Sequence, residues 1–163
     1  MLPRIRPLDR SDHSAVIELS LRAWAPVFSS LEHVLHGSGV FQRLYPDWRV
    51  SQRDTVAAAC TCDTVHMWIA EVDIPSVIAG FVAVVLDYDH SRGEIELLAV
   101  DPAYQRSGIG TALTRYARDR IREAGMSVAM VETGGDPGHA AARRTYQRAG
   151  FAPLPVVRYF AAL

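Results

Sequence analysis

Two sets of residues in this chain could do chemistry, and they lie close together. The first is a pair of carboxylates, Glu94 and Glu96, in the apolar, β-prone stretch 94–100. Two positions apart on a strand, their side chains share one face. A third carboxylate, Glu132, closes another apolar run, 127–131. Carboxylates so placed can take a proton from a substrate, best when burial or a like charge brings their pKa toward working pH. The plainer alternative is that two of the three face solvent or anchor a ligand. The second set is Gln105-Arg106-Ser107-Gly108-Ile109-Gly110, which follows the strand stop Asp101-Pro102. It opens a segment in which Ile109, Leu113, Tyr116, Ala117 and Ile121 form one apolar stripe at helical spacing. The first N–H groups of a helix have no partner within it, glycines let a ligand approach the backbone, and the dipole favours negative charge. Strand, loop and helix together form an anion cradle.

The elements around the cradle must position it. The apolar segments 65–72 and 77–86 are β-rich and joined by Asp73-Ile74-Pro75-Ser76, a hairpin-like link, and a polar loop at 87–93 turns into the carboxylate strand. That loop is either a solvated turn or, through Asp87 and Asp89, the acidic mouth of a site. Ahead of these, residues 4–8 read as a first strand and 11–23 as a capped amphipathic helix, which Pro26 is expected to end or kink near Trp24. Leu31, Val34 and Leu35 suggest a second short helix stopped at Gly37, and 50–59 a third. The aromatics between, Trp24, Phe28, Phe41, Tyr45 and Trp48, are either core packing or the wall of a substrate pocket. Past the cradle helix, which ends at Gly125, come strand 127–131, a Gly/Asp/Pro break, a helix from His139 to a cap at Gly150, and one or two closing strands over 151–159.

Composition narrows the class. At 163 residues the chain is expected to form one domain, 1–163. Seventeen basic and eighteen acidic residues give a net charge of −1, which leaves no nucleic-acid footprint. No apolar run approaches the roughly 18 residues of a membrane span and no signal-peptide pattern opens the chain, so no membrane partner and a cytoplasmic location are expected. Cys60 and Cys62 are too close for a comfortable disulfide and lack a zinc-site pattern, so no metal is expected either.

The cradle lacks the Lys-Ser/Thr of a nucleotide-triphosphate loop, and Leu113 occupies the place of the third small residue of a dinucleotide fingerprint. Gln-x-x-Gly-x-Gly after a strand ending Leu-Ala-Val-Asp-Pro instead resembles the signature of the GNAT superfamily of N-acetyltransferases, and Ala142, Tyr146, Gly150 and Phe151 match the register of that superfamily's later helix motif. The motif's first position is His139 where the family has Asn. This resemblance, covering about residues 65–155, implies an α/β (α+β) fold of the GNAT type. Its sheet is mixed and mostly antiparallel, flanked by helices, with a splayed parallel pair at 94–100 and 127–132.

The resemblance also implies acetyl-CoA as cosubstrate. Its pyrophosphate would lie on Gln105, Arg106, Ser107, Gly108, Ile109, Gly110 and Thr111, and its pantetheine against Leu98, Ala99 and Val100. His139, Ala142 and Arg143 would be further contacts, although His139 could equally be a helix-start residue and Arg143, with Arg144 and Arg106, part of a solvated face. Backbone N–H groups near 98–100 would steady the thioester oxygen. Glu94 is placed as general base, with Glu96 and Glu132 as the other candidates, and Tyr146 as proton donor to the leaving thiolate unless it only packs. Trp24, Phe28, Tyr45 and Asp87 are the candidate acceptor residues. The acids near the mouth suit a small cationic amine, such as an aminoglycoside-type antibiotic or a polyamine. A protein N-terminal or lysine acetyltransferase and a non-catalytic acyl-CoA-binding module are the rivals, and a monomer or homodimer is expected.

Overall fold

The computed structural model describes residues 3–72 and 76–163. In chain order, β1 (Arg4–Pro7) leads through a 3-10 turn into α1 (His13–Val34), the short α2 (Val40–Leu44) and α3 (Trp48–Thr61). β2 (Val65–Val72), β3 (Val77–Asp87) and β4 (Arg92–Val100) follow, then α4 (Ile109–Glu123), β5 (Val128–Val131) and α5 (Ala140–Arg148). The sheet order is β1-β2-β3-β4-β5, antiparallel until the last pair, β4 and β5, which run parallel.

β3 lies at the centre, and its unbroken apolar run reflects burial on both faces. Phe81 and Ala83 point into one cluster with Val16 and Leu19 of α1 and Val56 of α3. Val82 and Val84 point the other way, into a cluster with Leu113, Ala117 and Ile121 of α4. The expected apolar stripe of the cradle helix is therefore the surface that seats it on the sheet. At the far edge, Arg6 donates to both Asp12 and Glu71 and ties β1 to β2 and to the start of α1.

Several expectations need correction. Pro26 does not end the first helix: α1 runs through it to Val34 and absorbs the short helix expected around Leu31. α3 begins at Trp48 rather than Val50, because the Asp47 carboxylate accepts from the Arg49 and Val50 N–H groups. No closing strand forms after α5. Residues 151–163 are irregular, and Leu154, Val156, Val157, Tyr159 and Phe160 are exposed. Pro153 and Pro155 have no N–H to donate, and β5, at four residues, offers a short edge. The link at 73–75 lies outside the described residues.

Candidate active site

The parallel pair parts where chemistry is expected. β4 and β5 share a ladder from Arg92↔Val128 to Ile95↔Val131, whereas β4 stays paired with β3 as far as Val100↔Gly80. Residues 96–100 therefore keep one main-chain edge free of a strand partner among the described residues. At the point of parting the β3–β4 register steps from Ala83↔Leu97 to Val84↔Ile95, leaving Glu96 as an extra, bulged residue. The strict alternation that would set Glu94 and Glu96 on one face is interrupted there. Glu94 is half-buried and Glu96 exposed. Glu132, also exposed, pairs with Arg158 of the C-terminal segment.

The cradle forms at the exit of β4. Gly108 is the N-cap of α4 at φ +89, a conformation that a side chain would strain. The first turn's bonding begins with Ala112 N–H to Gly108 O at 3.0 Å, so the N–H groups of 108–111 precede it and are free for an anion. Two of the candidate side chains brace the loop from within: Gln105 Nε2 donates to Val100 O at 3.1 Å and Ser107 Oγ to Tyr104 O. Arg106 is exposed at φ +63, Thr111 is half-buried, and the Ile109 side chain belongs to the core. Leu98 and Val100 pack toward α4 while Ala99 faces the opposite cluster, so this strand can offer a ligand its backbone. Asp101 secures the loop by accepting from Ala103 N–H and from Arg22 Nε and NH2, the last at 2.6 Å. Burial alone would raise its pKa, but these donors outweigh burial and hold the carboxylate below its ordinary range.

α5 packs beside α4, with Thr145 3.5 Å from where a Cβ on Gly110 would stand. Its half-buried residues include Ala142, Arg143 and Tyr146. Burial pushes the Tyr146 hydroxyl up to about 12, so it stays protonated at neutral pH and can act as a donor. Arg143 NH1 donates to Gly134 O and Asp136 O at 2.6 and 2.8 Å, which makes it a brace of the β5–α5 loop. In the same loop Asp136 accepts from Ser30 Oγ of α1 at 2.6 Å and from Gly138 N–H at 3.0 Å, and its other oxygen meets His139 Nδ1. Burial would raise Asp136 too, but Ser30, His139 and the Gly138 N–H keep it ionised.

The aromatic segment divides. Phe28 stacks on Trp48 at 4.6 Å and meets Tyr45 edge-on at 5.2 Å, and Phe41 tilts against Tyr45. Trp24 instead packs on Phe81 in the core. Phe41, Tyr45 and Trp48 line an open cavity of about 560 Å³ with Glu32, Asp47 and Arg49, whose guanidinium lies over the Trp48 ring. Asp87 is not among its lining residues. It holds His90 at 2.8 Å and lies 3.6 Å from Arg92 at the β3–β4 turn. Sequence reading missed Arg22, Ser30, Asp101 and Asp136, because their partners lie far along the chain. Among the described residues no cluster of metal-ligating side chains occurs, and no helix is long and apolar enough to cross a membrane.

A five-strand mixed sheet whose parallel pair opens beside a glycine-capped helix N-terminus is the architecture that the sequence resemblance implies. The sequence agrees: the model of the Acetyltransferase (GNAT) family matches residues 38–151, and the chain belongs to that family. It is 33% identical over 140 residues to a mycothiol acetyltransferase of Sanguibacter keddieii, a match covering 82% of this chain and 43% of that protein. The chain thus spans less than half the length of this curated relative. An aminoglycoside acetyltransferase from an uncultured soil metagenomic sample, solved with sisomicin, shares the fold at TM-score 0.63 and 18% identity, covering 99% of this chain and 97% of that one. The ribosomal-protein-S18-alanine N-acetyltransferase of Escherichia coli shares it at TM-score 0.65 and 20% identity, over 94% and 80%.

Proposed function

We propose that this chain is an acetyl-CoA-dependent N-acetyltransferase that acts on the primary amine of a small cationic substrate by direct transfer. The observation that carries the reading is the opening of β4 from β5 beside the free N–H groups of 108–111, with Tyr146 on the helix packed beside α4. Acetyl-CoA supplies an activated acyl group as a thioester. The chain's own residues do the rest. The α4 N-terminus cradles phosphate charge, and the free edge of 96–100 aligns an amide-bearing arm. Glu94, half-buried on β4, takes the proton from the ammonium so that the amine can attack. Backbone N–H groups where β4 opens face the charge that grows on the carbonyl oxygen. Tyr146 donates a hydrogen bond to the departing sulfur.

The acceptor side rests on the cavity of Phe41, Tyr45 and Trp48, where the carboxylates of Glu32 and Asp47 favour an amine, although Arg49 already lies over the Trp48 ring. The mycothiol and aminoglycoside acetyltransferases among the similar proteins point the same way. The test is a thermal shift with acetyl-CoA, then with acetyl-CoA plus amine pools. A ligand that binds only the folded state raises the melting temperature. No shift at saturating acetyl-CoA would remove the cofactor and the function together. A shift without thiol release on any amine would make the chain a binding module. With turnover in hand, Tyr146→Phe should lower kcat about 100-fold at unchanged acetyl-CoA affinity. Glu94→Gln should abolish the acidic limb of the pH–rate profile, and a profile identical to that of the wild type would remove Glu94 as base.

A further inference from the structure

Resting on that reading, we propose that Asp136 is a positioning residue for the cofactor site. Together with Ser30 it fixes the tautomer of His139, so that this side chain accepts, rather than donates, a hydrogen bond in the cleft. The arrangement is built. Asp136 and His139 are nearly enclosed, with side-chain exposures of 6% and 20%. A Cβ on Gly134 would stand 2.6 Å from His139 Nδ1, and one on Gly138 would stand 2.5 Å from the Ser30 Cβ. Both glycines are therefore needed for the three side chains to meet. Gly138 N–H also donates to Ser30 Oγ at 2.9 Å, so the serine hydroxyl must send its own proton to Asp136 Oδ2 at 2.6 Å.

The consequence for His139 follows from the donor inventory. An ionised carboxylate only accepts, so the ring nitrogen facing Asp136, Nδ1, carries the proton, and in the singly protonated ring that the proposal requires Nε2 is the acceptor. His139 is the N-cap of α5, at the end of the loop that leaves β5 and seven residues before Tyr146. An acceptor there matches an amide N–H of the pantetheine arm.

The test uses the whole chain. In the ligand-free protein, 15N spectra should show His139 protonated at Nδ1. In Asp136→Asn two donors, Ser30 Oγ–H and Gly138 N–H, still converge on one side of the new amide and draw its oxygen. Its NH2 then faces His139, and the ring should switch to Nε2–H. Acetyl-CoA affinity, measured by calorimetry, should fall about tenfold, as expected when an acceptor becomes a donor. His139→Ala, which leaves the buried carboxylate with Ser30 and Gly138, should lose a similar factor. A proton on Nε2 in the wild type, whether as the Nε2–H tautomer or as the imidazolium, would overturn the proposal, as would acetyl-CoA affinities within twofold of wild type in both variants. Absence of any acetyl-CoA binding by the wild type would instead remove the functional reading, and this role with it.

Discussion

Both oxygens of Asp136 are committed, one to Ser30 and Gly138 and the other to His139, and this sets how the protein responds to acid. Its folded pKa lies below the ordinary value of 3.8. Its contribution to stability is therefore complete above roughly pH 5 and is lost as pH falls through the lower folded value. Asp101, held down against its own burial by Ala103 and Arg22, acts in the same window. Melting temperature should be flat from neutral pH to about 5 and fall steeply below 4. Asp136→Asn should melt lower at neutral pH but show a shallower acid slope. An equally steep slope in the variant would mean that Asp136 gains nothing from its partners. The positions of Gly108, at a helix start, and Tyr146, one turn before a Gly-Phe cap, were legible because those signals are local. Ser30 and Asp136 are 106 positions apart, and Arg22 and Asp101 are 79 apart, so no spacing rule could bring them together.

At the scale of elements, the strands and the cradle helix could be read because β-rich apolar runs and an apolar stripe declare them, whereas the path of α1 could not. A proline inside a helix loses a hydrogen bond and clashes with the preceding turn at a cost of about 3 kcal/mol, which is reason enough to expect a break at Pro26. What sequence does not display is the tertiary hold on the second half of α1, where Phe28 stacks on Trp48 and Ser30 bonds Asp136. Those contacts outweigh the proline. Pro26→Ala should therefore stabilise the protein, by up to about 3 kcal/mol in urea unfolding, because the helix already exists and regains its missing bond. A destabilised variant would show that α1 relies on a kink at this point. The C-terminal segment erred in the opposite direction. Its β-prone residues suggested strands, but two prolines and a short partner edge leave no ladder to join. Gly108→Ala tests the cradle at the same scale. Its Cβ would meet open space, so the cost is conformational, about 1–2 kcal/mol, and weaker acetyl-CoA binding should accompany it.

In the whole molecule α1 joins the two strands that must stay apart. Arg22 holds Asp101 at the exit of β4, and Ser30 holds Asp136 in the loop that leaves β5. Eight residues of helix place these anchors about 12 Å apart along α1, well beyond the roughly 4.8 Å between paired strands. A helix anchored at both points is expected to help hold the exit of β4 away from the loop that leaves β5. The same helix carries Phe28, beneath Trp48, and Glu32, which lines the aromatic cavity, so the parting strands and that cavity share one element. Arg22→Ala and Ser30→Ala, neither of which touches the free N–H groups of α4, should each weaken acetyl-CoA binding severalfold. Their double mutant should lose less than the sum, since a helix freed at one end no longer spaces the strands. Calorimetry on the four proteins, with melting temperatures to confirm folding, measures this coupling. Full additivity would mean that the two anchors act separately. Wild-type affinity in both single variants would mean that the sheet, through the bulge at Glu96, holds the cleft open without help from α1.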